Sequence, residues 1–241
     1  PDDHKYTRGH LLVVGGTMPG AAALAAAAGA RAGAGYVTLV GEGGGVPNAI
    51  VRRAWTELDE ALSDRRVTAI LAGPGLGRLP ESSDRLKRAM ATACPIVLDG
   101  DALWLLAEGS QSRERSAPIV TTPHAGEFHR LYGDSGSKLE AARSAAARTG
   151  DTIVYKGPDT IVAAPDGRAA IARTGSSWLA SAGTGDVLAG IVAARCAAGS
   201  PPFEAACAGV WLHGRAARLA GPGLVADDLI DHLPAALALC L

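Results

Sequence analysis

Short, unbroken apolar runs separated by Ala-rich stretches of helical length constrain this chain more than any other feature. Leu11–Val14, Tyr36–Val40, Val67–Ala72, Pro95–Leu98, Pro118–Thr121 and Thr152–Tyr155 read as strands, being brief, aliphatic or β-branched, and bounded by Gly, Pro or Asp. None alternates apolar with polar residues, so each is expected to be covered on both faces. Gly20–Ala34, Ser82–Thr92, Gly126–Tyr132 and Lys138–Thr149 lie between or after them and read as helices. This alternation predicts an α/β fold with a central, mainly parallel sheet flanked by helices on both faces. Thr160–Ala164 and Ala169–Ala172 flank Pro165-Asp166-Gly167 and read as a small β-hairpin beside the sheet. Helices at about Gly185–Ala198, Phe203–Ala220 and Asp227–Leu239 follow, and the Gly-rich Glu42–Pro47 reads as a loop. No internal repeat or disordered linker interrupts the pattern, so residues 1–241 are expected to form a single domain.

Composition narrows the function. The 23 basic and 24 acidic residues nearly cancel, giving a formal charge of −1, and aromatic residues make up only 4%. A nucleic-acid partner needs a basic footprint and stacking platforms, and a membrane surface needs the same charge, so neither is expected. No apolar run is long enough to span a bilayer, because Arg31 and several glycines break the Ala-rich stretch from Gly20. Cys94, Cys196, Cys207 and Cys240 show no C-x-x-C or zinc-finger spacing and read as free thiols in a reducing cytoplasm. There is no basic-then-apolar signal peptide. A start at Pro1 in place of Met reads as a trimmed chain or one domain of a longer protein.

The glycines fall where an open parallel sheet binds ligands, beyond the carboxyl ends of its strands. Gly15-Gly16 follows the first run, Gly73-Pro74-Gly75-Leu76-Gly77 the third and Lys156-Gly157 the sixth. Each cluster alone could simply make a tight turn; together they favour a shared cleft. The most informative segment is Gly183-Thr184-Gly185-Asp186, opening the apolar helix Val187-Leu188-Ala189-Gly190-Ile191. Exposed N–H groups and the helix dipole make such a turn an anion site. Two readings fit Asp186. It can act as a general base, taking a proton from a substrate hydroxyl while that oxygen attacks phosphorus. It can equally be a helix-start aspartate that stabilises the first turn. No Walker A loop is present, and the third glycine of the 73–77 cluster is misplaced for a dinucleotide fingerprint, which leaves hydride transfer poorly supported.

The Gly183–Asp186 loop resembles the catalytic loop of ribokinase-like small-molecule kinases. The chain as a whole resembles one branch of that superfamily, the ADP/ATP-dependent NAD(P)H-hydrate dehydratases. The likeness runs from Lys5-Tyr6-Thr7-Arg8-Gly9 through Pro19–Ala22, Arg31–Gly35, Gly73–Gly77, Leu98–Leu103, Thr122–Phe128, Lys156–Thr160, Ser181–Gly190 and Leu212-His213-Gly214 to Ala226–Leu229, in the family's order.

This resemblance implies repair of the S-epimer of hydrated NADH or NADPH. Asp186 would be the base on the C6 hydroxyl, with Gly183 and Gly185 in the catalytic loop. Phosphorylation makes that hydroxyl a leaving group, and its loss restores the reduced cofactor, with ADP going to AMP or ATP to ADP. Ala21, Gly75, His124 and Asp186 are implied contacts to the hydrated cofactor. Lys156, Gly157, Pro158, Asp159, Thr160 and Gly185 are implied contacts to the adenine nucleotide. Glu127 is implied to organise Mg²⁺ through water, with Asp99 or Asp101 as helpers. Without the resemblance, Glu127 reads as favourable charge in a helix's first turn, Asp99 and Asp101 as turn residues, Lys156 as a surface lysine, and Ala21 and Gly75 as packing residues.

The resemblance also implies a homo-oligomer, a tetramer in the family, and an NAD(P)H-hydrate epimerase domain or protein as companion, the domain being absent from these residues. Arg173–Leu179 departs from the family's usual Asn-Pro-Thr-Gly-Asn-Pro-like run, and Trp178 is expected to crowd the catalytic loop. A vitamin-precursor kinase acting on hydroxyethylthiazole or a pyridoxal-type alcohol is the alternative enzyme. A non-catalytic nucleotide-binding protein is the alternative of another class, though it has no need of Asp186.

Overall fold

The apolar runs pair into one nine-stranded sheet, in a computed structural model that describes residues 5, 7–42, 44–109, 115–133, 136–173 and 176–240. Tyr6, Gly43, Thr174 and Gly175, which belong to segments discussed above, lie outside the described residues. The strands are β1 (His10–Val14), β2 (Tyr36–Val40), β3 (Val51–Arg53), β4 (Ala69–Ala72), β5 (Ile96–Leu98), β6 (Ile119–Thr121), β7 (Thr152–Tyr155), β8 (Thr160–Ala163) and β9 (Ala169–Ala172). Their order is β3-β2-β1-β4-β5-β6-β7-β8-β9. Pairing is parallel from β3 to β7 and antiparallel across β7–β8 and β8–β9. The hairpin around Pro165-Asp166-Gly167 therefore extends the main sheet's edge, because β8 takes its ladder bonds from β7.

The unbroken apolar strands bury both faces. Leu11, Val13, Leu71, Val97, Val120 and Val154 enter one core, whereas their neighbours Leu12, Val14, Ile70, Ile96, Leu98 and Ile119 enter the core on the opposite face. The first core is closed by α1 (Pro19–Arg31), α7 (Thr184–Ala197), α8 (Pro202–Ala220) and α9 (Ala226–Ala238). The second is closed by α2 (Leu58–Ser63), α3 (Pro80–Met90) and α4 (Asp101–Ala107). A third cluster sets Phe128 of α5 (Ala125–Tyr132) and the alanines of α6 (Lys138–Thr149) against Ile153, Ile161 and Ala163.

Small residues let α1 and α7 approach backbone to backbone. A Cβ placed on Gly190 would lie 2.1 Å from the Ala25 carbonyl oxygen. That contact fixes the axis of α7, and with it the direction in which its first turn faces. The expected helices are present with ends shifted by up to three residues. Two helices and one strand were not expected: α4 starts within a segment read as a turn, α2 is only six residues long, and β3 is a three-residue edge strand carrying two arginines.

Candidate active site

The first turn of α7 stands over the carboxyl ends of the central strands. Gly183 precedes it with φ +85°, a left-handed conformation that favours glycine. A side chain there would also meet Leu24 at 2.7 Å and Ala226 at 2.9 Å. The Thr184 hydroxyl lies 2.7 Å from the Leu179 carbonyl and 2.9 Å from that of Ser181, tying the approach segment to the turn. The Thr184 carbonyl is 2.9 Å from Nε2 of His213, a buried residue of α8. A carbonyl only accepts, so Nε2 carries the hydrogen. Burial lowers the His213 pKa to about 4, which keeps the ring neutral.

A compact charge cluster lies beneath the turn. Lys156, at the end of β7, is 2.7 Å from Asp99 at the end of β5 and 3.9 Å from Glu127 of α5. Asp99 also accepts the Thr122 hydroxyl at 2.7 Å. A Cβ on Gly185 would stand 3.3 Å from the Lys156 ammonium and 4.0 Å from Asp99 Oδ2, so the backbone of the turn lies directly on this pair. Burial disfavours the Lys156 charge, but Asp99 and Glu127 outweigh it and hold the pKa above the ordinary lysine value. Burial, and then the Asp99 charge, raises Glu127, with Lys156 opposing. Asp186 is raised from 3.8 to about 7, first by burial, then by Asp99 and more weakly by Asp101 and Glu127, against the pull of Lys156. A carboxyl held near neutrality in the first turn of a helix has the acidity a general base needs.

The 156–160 loop walls a cavity of about 410 Å³ beside the turn, lined by Lys156, Gly157, Pro158, Thr160, Leu188 and His213 among others. Its size and largely apolar wall suit a nucleoside. Asp159 does not line it. Lys138 draws that carboxylate away at 2.8 Å and also donates to the Asp159 carbonyl at 2.9 Å, securing the loop from outside. Thr160 closes the loop by donating to the Gly157 carbonyl at 2.9 Å. Trp178 is 47% exposed, while its neighbours Ser176, Ser177, Leu179 and Ala180 line the wall. A second cavity of about 360 Å³, lined by Arg115, Asp151 and Arg168 among others, contains none of the expected site residues.

Gly75, in the loop after β4, lies against Met18 and Ala21 at the start of α1. A Cβ on Gly75, which has φ +62°, would lie 2.2 Å from the Met18 carbonyl oxygen and 3.1 Å from the Ala21 methyl. Gly75 is thus small for a packing reason. His124 caps α5: Nδ1 accepts the Gly126 N–H at 3.0 Å and Glu127 accepts the His124 N–H at 2.8 Å. Asp101 is fully engaged, accepting the Gly77 N–H at 2.9 Å and Arg78 at 2.8 Å, and so braces the 73–78 loop.

Among the described residues, no three His, Cys, Asp or Glu side chains gather closely enough to hold a metal directly. The buried carboxylate of Asp99 and the partly buried ones of Glu127 and Asp186 surround the ammonium of Lys156, an excess of negative charge that fits a magnesium ion held through water. Sequence reasoning missed Lys138 and left Asp99 as a turn residue or metal helper. The signal for Asp99 was its place at the end of a buried strand, the position where sheets of this kind bind ligands.

The family model described as NAD(P)H-hydrate dehydratase matches residues 11–234. A relative in Neisseria meningitidis named ADP-dependent (S)-NAD(P)H-hydrate dehydratase is 38% identical, over 90% of this chain and 78% of its own length. A Salinibacter ruber protein named bifunctional NAD(P)H-hydrate repair enzyme is 38% identical over 97% of this chain, which spans about half of that relative, 49%. Among solved structures, a ribokinase-like superfamily protein of Enterococcus faecalis superposes with a TM-score of 0.87 at 26% identity, covering 98% of this chain and 89% of the other. The ADP/ATP-dependent NAD(P)H-hydrate dehydratase of Bacillus subtilis, co-crystallised with ATP and Mg²⁺, gives 0.83 at 29% identity, covering 98% and 91%. The fold is ribokinase-like.

Proposed function

Because this chain belongs to the NAD(P)H-hydrate dehydratase family, we propose that it uses ADP or ATP to dehydrate the S-epimer of hydrated NADH or NADPH back to the reduced cofactor. The observation that carries the reading is Asp186, held near neutral pKa in the first turn of α7, whose Thr184 and Gly185 line a nucleoside-sized cavity together with Lys156. The nucleotide base and ribose occupy that cavity. Its phosphates meet the Gly185 N–H and the Lys156 ammonium. The hydrated nicotinamide enters beside Ala21, Gly75 and His124, which puts its C6 hydroxyl against Asp186.

Asp186 accepts the hydroxyl proton as that oxygen bonds to the terminal phosphorus and the bridging oxygen leaves on AMP or ADP. The ring nitrogen's lone pair then expels phosphate by breaking the C6–O bond, and loss of the C5 proton completes the dehydration. Lys156 and the N–H groups of the turn hold charge on the transferring group. A magnesium ion held through water by Glu127, with Asp99 beside it, would neutralise phosphate charge when bound. The co-crystal of the Bacillus subtilis relative with ATP and Mg²⁺ supports that part of the reading.

All these groups hang from one sheet, so residues 1–241 are taken as one catalytic domain. An epimerase, as a fused domain or separate protein, would supply the S-epimer; the bifunctional name of the Salinibacter ruber relative supports this. A homo-oligomer in the cytoplasm completes the reading. The four cysteines are all free, which supports a reducing compartment. The test incubates the protein with Mg²⁺, hydrated NADH and either ADP or ATP. Recovery of reduced-nicotinamide absorbance with stoichiometric phosphate and AMP, or ADP, is expected. A stable phosphorylated thiazole alcohol, with no such recovery, would assign the chain to the kinases instead.

A further inference from the structure

His213 lies 29 residues from Thr184 in sequence, on a different helix, yet its Nε2–H is 2.9 Å from the Thr184 carbonyl oxygen. A trans peptide points its C=O and N–H in opposite directions. Holding the Thr184 carbonyl on one side therefore fixes the Gly185 N–H on the other, out of the first turn of α7, whose backbone at Gly185 lies beside the Lys156–Asp99 pair. The ring is buried, also lines the 410 Å³ cavity, and sits one residue before Gly214, which lines it too. Thr184 is also tied through its hydroxyl, to Leu179 and Ser181, and its carbonyl lies in the first turn of α7, so the His213 bond adds to the helix's own hold on the following peptide.

We propose that His213 is a positioning residue for the phosphate cradle, acting through the Thr184 carbonyl to aim the Gly185 N–H at the nucleotide's phosphates. The inference rests on the nucleotide reading above. It separates phosphate recognition from nucleoside recognition within one pocket, because His213 aligns a donor for phosphate while Leu188, Val210 and the loop wall enclose the nucleoside. A glutamine at 213 can place an amide N–H near the position of Nε2, whereas asparagine falls short and leucine has no donor.

The experiment measures ADP and adenosine affinity by titration calorimetry for wild type, H213L, H213N and H213Q, together with phosphate release during cofactor repair. ADP affinity is expected to fall roughly 5- to 10-fold in H213L and H213N, the worth of one hydrogen bond. Adenosine affinity is expected to stay within twofold, and H213Q to recover most of the ADP loss. Should H213L fail to fold, the H213N and H213Q pair carries the comparison. Equal losses for ADP and adenosine, or no rescue by glutamine, would overturn the positioning role and leave the proposed function standing. A wild-type protein that binds neither ADP nor ATP would overturn both.

Discussion

Replacing Asp186 by asparagine is expected to cost turnover while making the ligand-free protein more heat-stable at alkaline pH. The Asp186 carboxyl is raised from 3.8 to about 7, chiefly by burial and next by Asp99. Between those values the folded chain holds a proton that the unfolded chain has released. Stability therefore falls as pH rises through this window and levels off above about 7. The full rise sets an upper bound of roughly 4 kcal/mol on the cost of holding the ionised side chain in place. Lys156 and solvent relax part of it, and the buried amide carries its own desolvation cost, so a gain of about 2 kcal/mol is expected for D186N above neutrality. For a chain of this length that is an increase in Tm of roughly 4–8 °C. Thermal unfolding of both proteins without nucleotide or Mg²⁺ measures it. The Tm difference should grow with pH up to about 7 and then stay constant, while turnover falls ~10²-fold or more. If D186N melts below wild type at alkaline pH, Asp186 is a stabilising helix-start residue and the general-base reasoning is refuted.

Three further outcomes are expected. The pH profile of kcat/KM should rise through an apparent pKa near 7 as Asp186 becomes ionised, because only the carboxylate accepts the proton; a profile flat from pH 5 to pH 9 contradicts this. Gly183→Ala forces a side chain into a left-handed conformation against Leu24 and Ala226 and should destabilise the chain by roughly 2–4 kcal/mol in chemical denaturation, with loss of nucleotide binding. Lys156→Met leaves Asp99 buried beside Glu127 without its cation and should destabilise by about 3–5 kcal/mol, a loss that adding Asp99→Asn partly reverses. Additive effects of those two substitutions would show that the pair is not coupled.

The strands and the glycine turn that opens α7 were legible because each is written locally. Leu11–Val14 and Ile96–Leu98 are apolar at every position, which only burial on both faces explains, and Gly183-Thr184-Gly185-Asp186 carries its flexibility, its N–H groups and its carboxylate within four residues. Illegible features depend on what the fold brings together. Asp99 and Lys156 are 57 residues apart and meet only because β6 separates their two strands in the sheet. Lys138 reaches the Asp159 turn from α6, a contact that sequence spacing does not announce. The start of α4 was hidden because Asp99-Gly100 has the composition of a turn, and Gly100 does adopt φ +49° there before the helix begins. β3 escaped because Val51-Arg52-Arg53 pairs only with β2 at the sheet's edge and stays partly exposed.

In the proposed repair reaction, phosphate leaves with the oxygen it captured. Repair of hydrated NADH labelled with ¹⁸O at the C6 hydroxyl, with the released phosphate examined by mass spectrometry, tests this directly. One labelled oxygen in each inorganic phosphate is the predicted result, because the C6–O bond breaks after the P–O bond forms. Label recovered in water, with unlabelled phosphate, would mean that dehydration and nucleotide cleavage are separate events and that Asp186 does not activate the hydroxyl for phosphoryl capture.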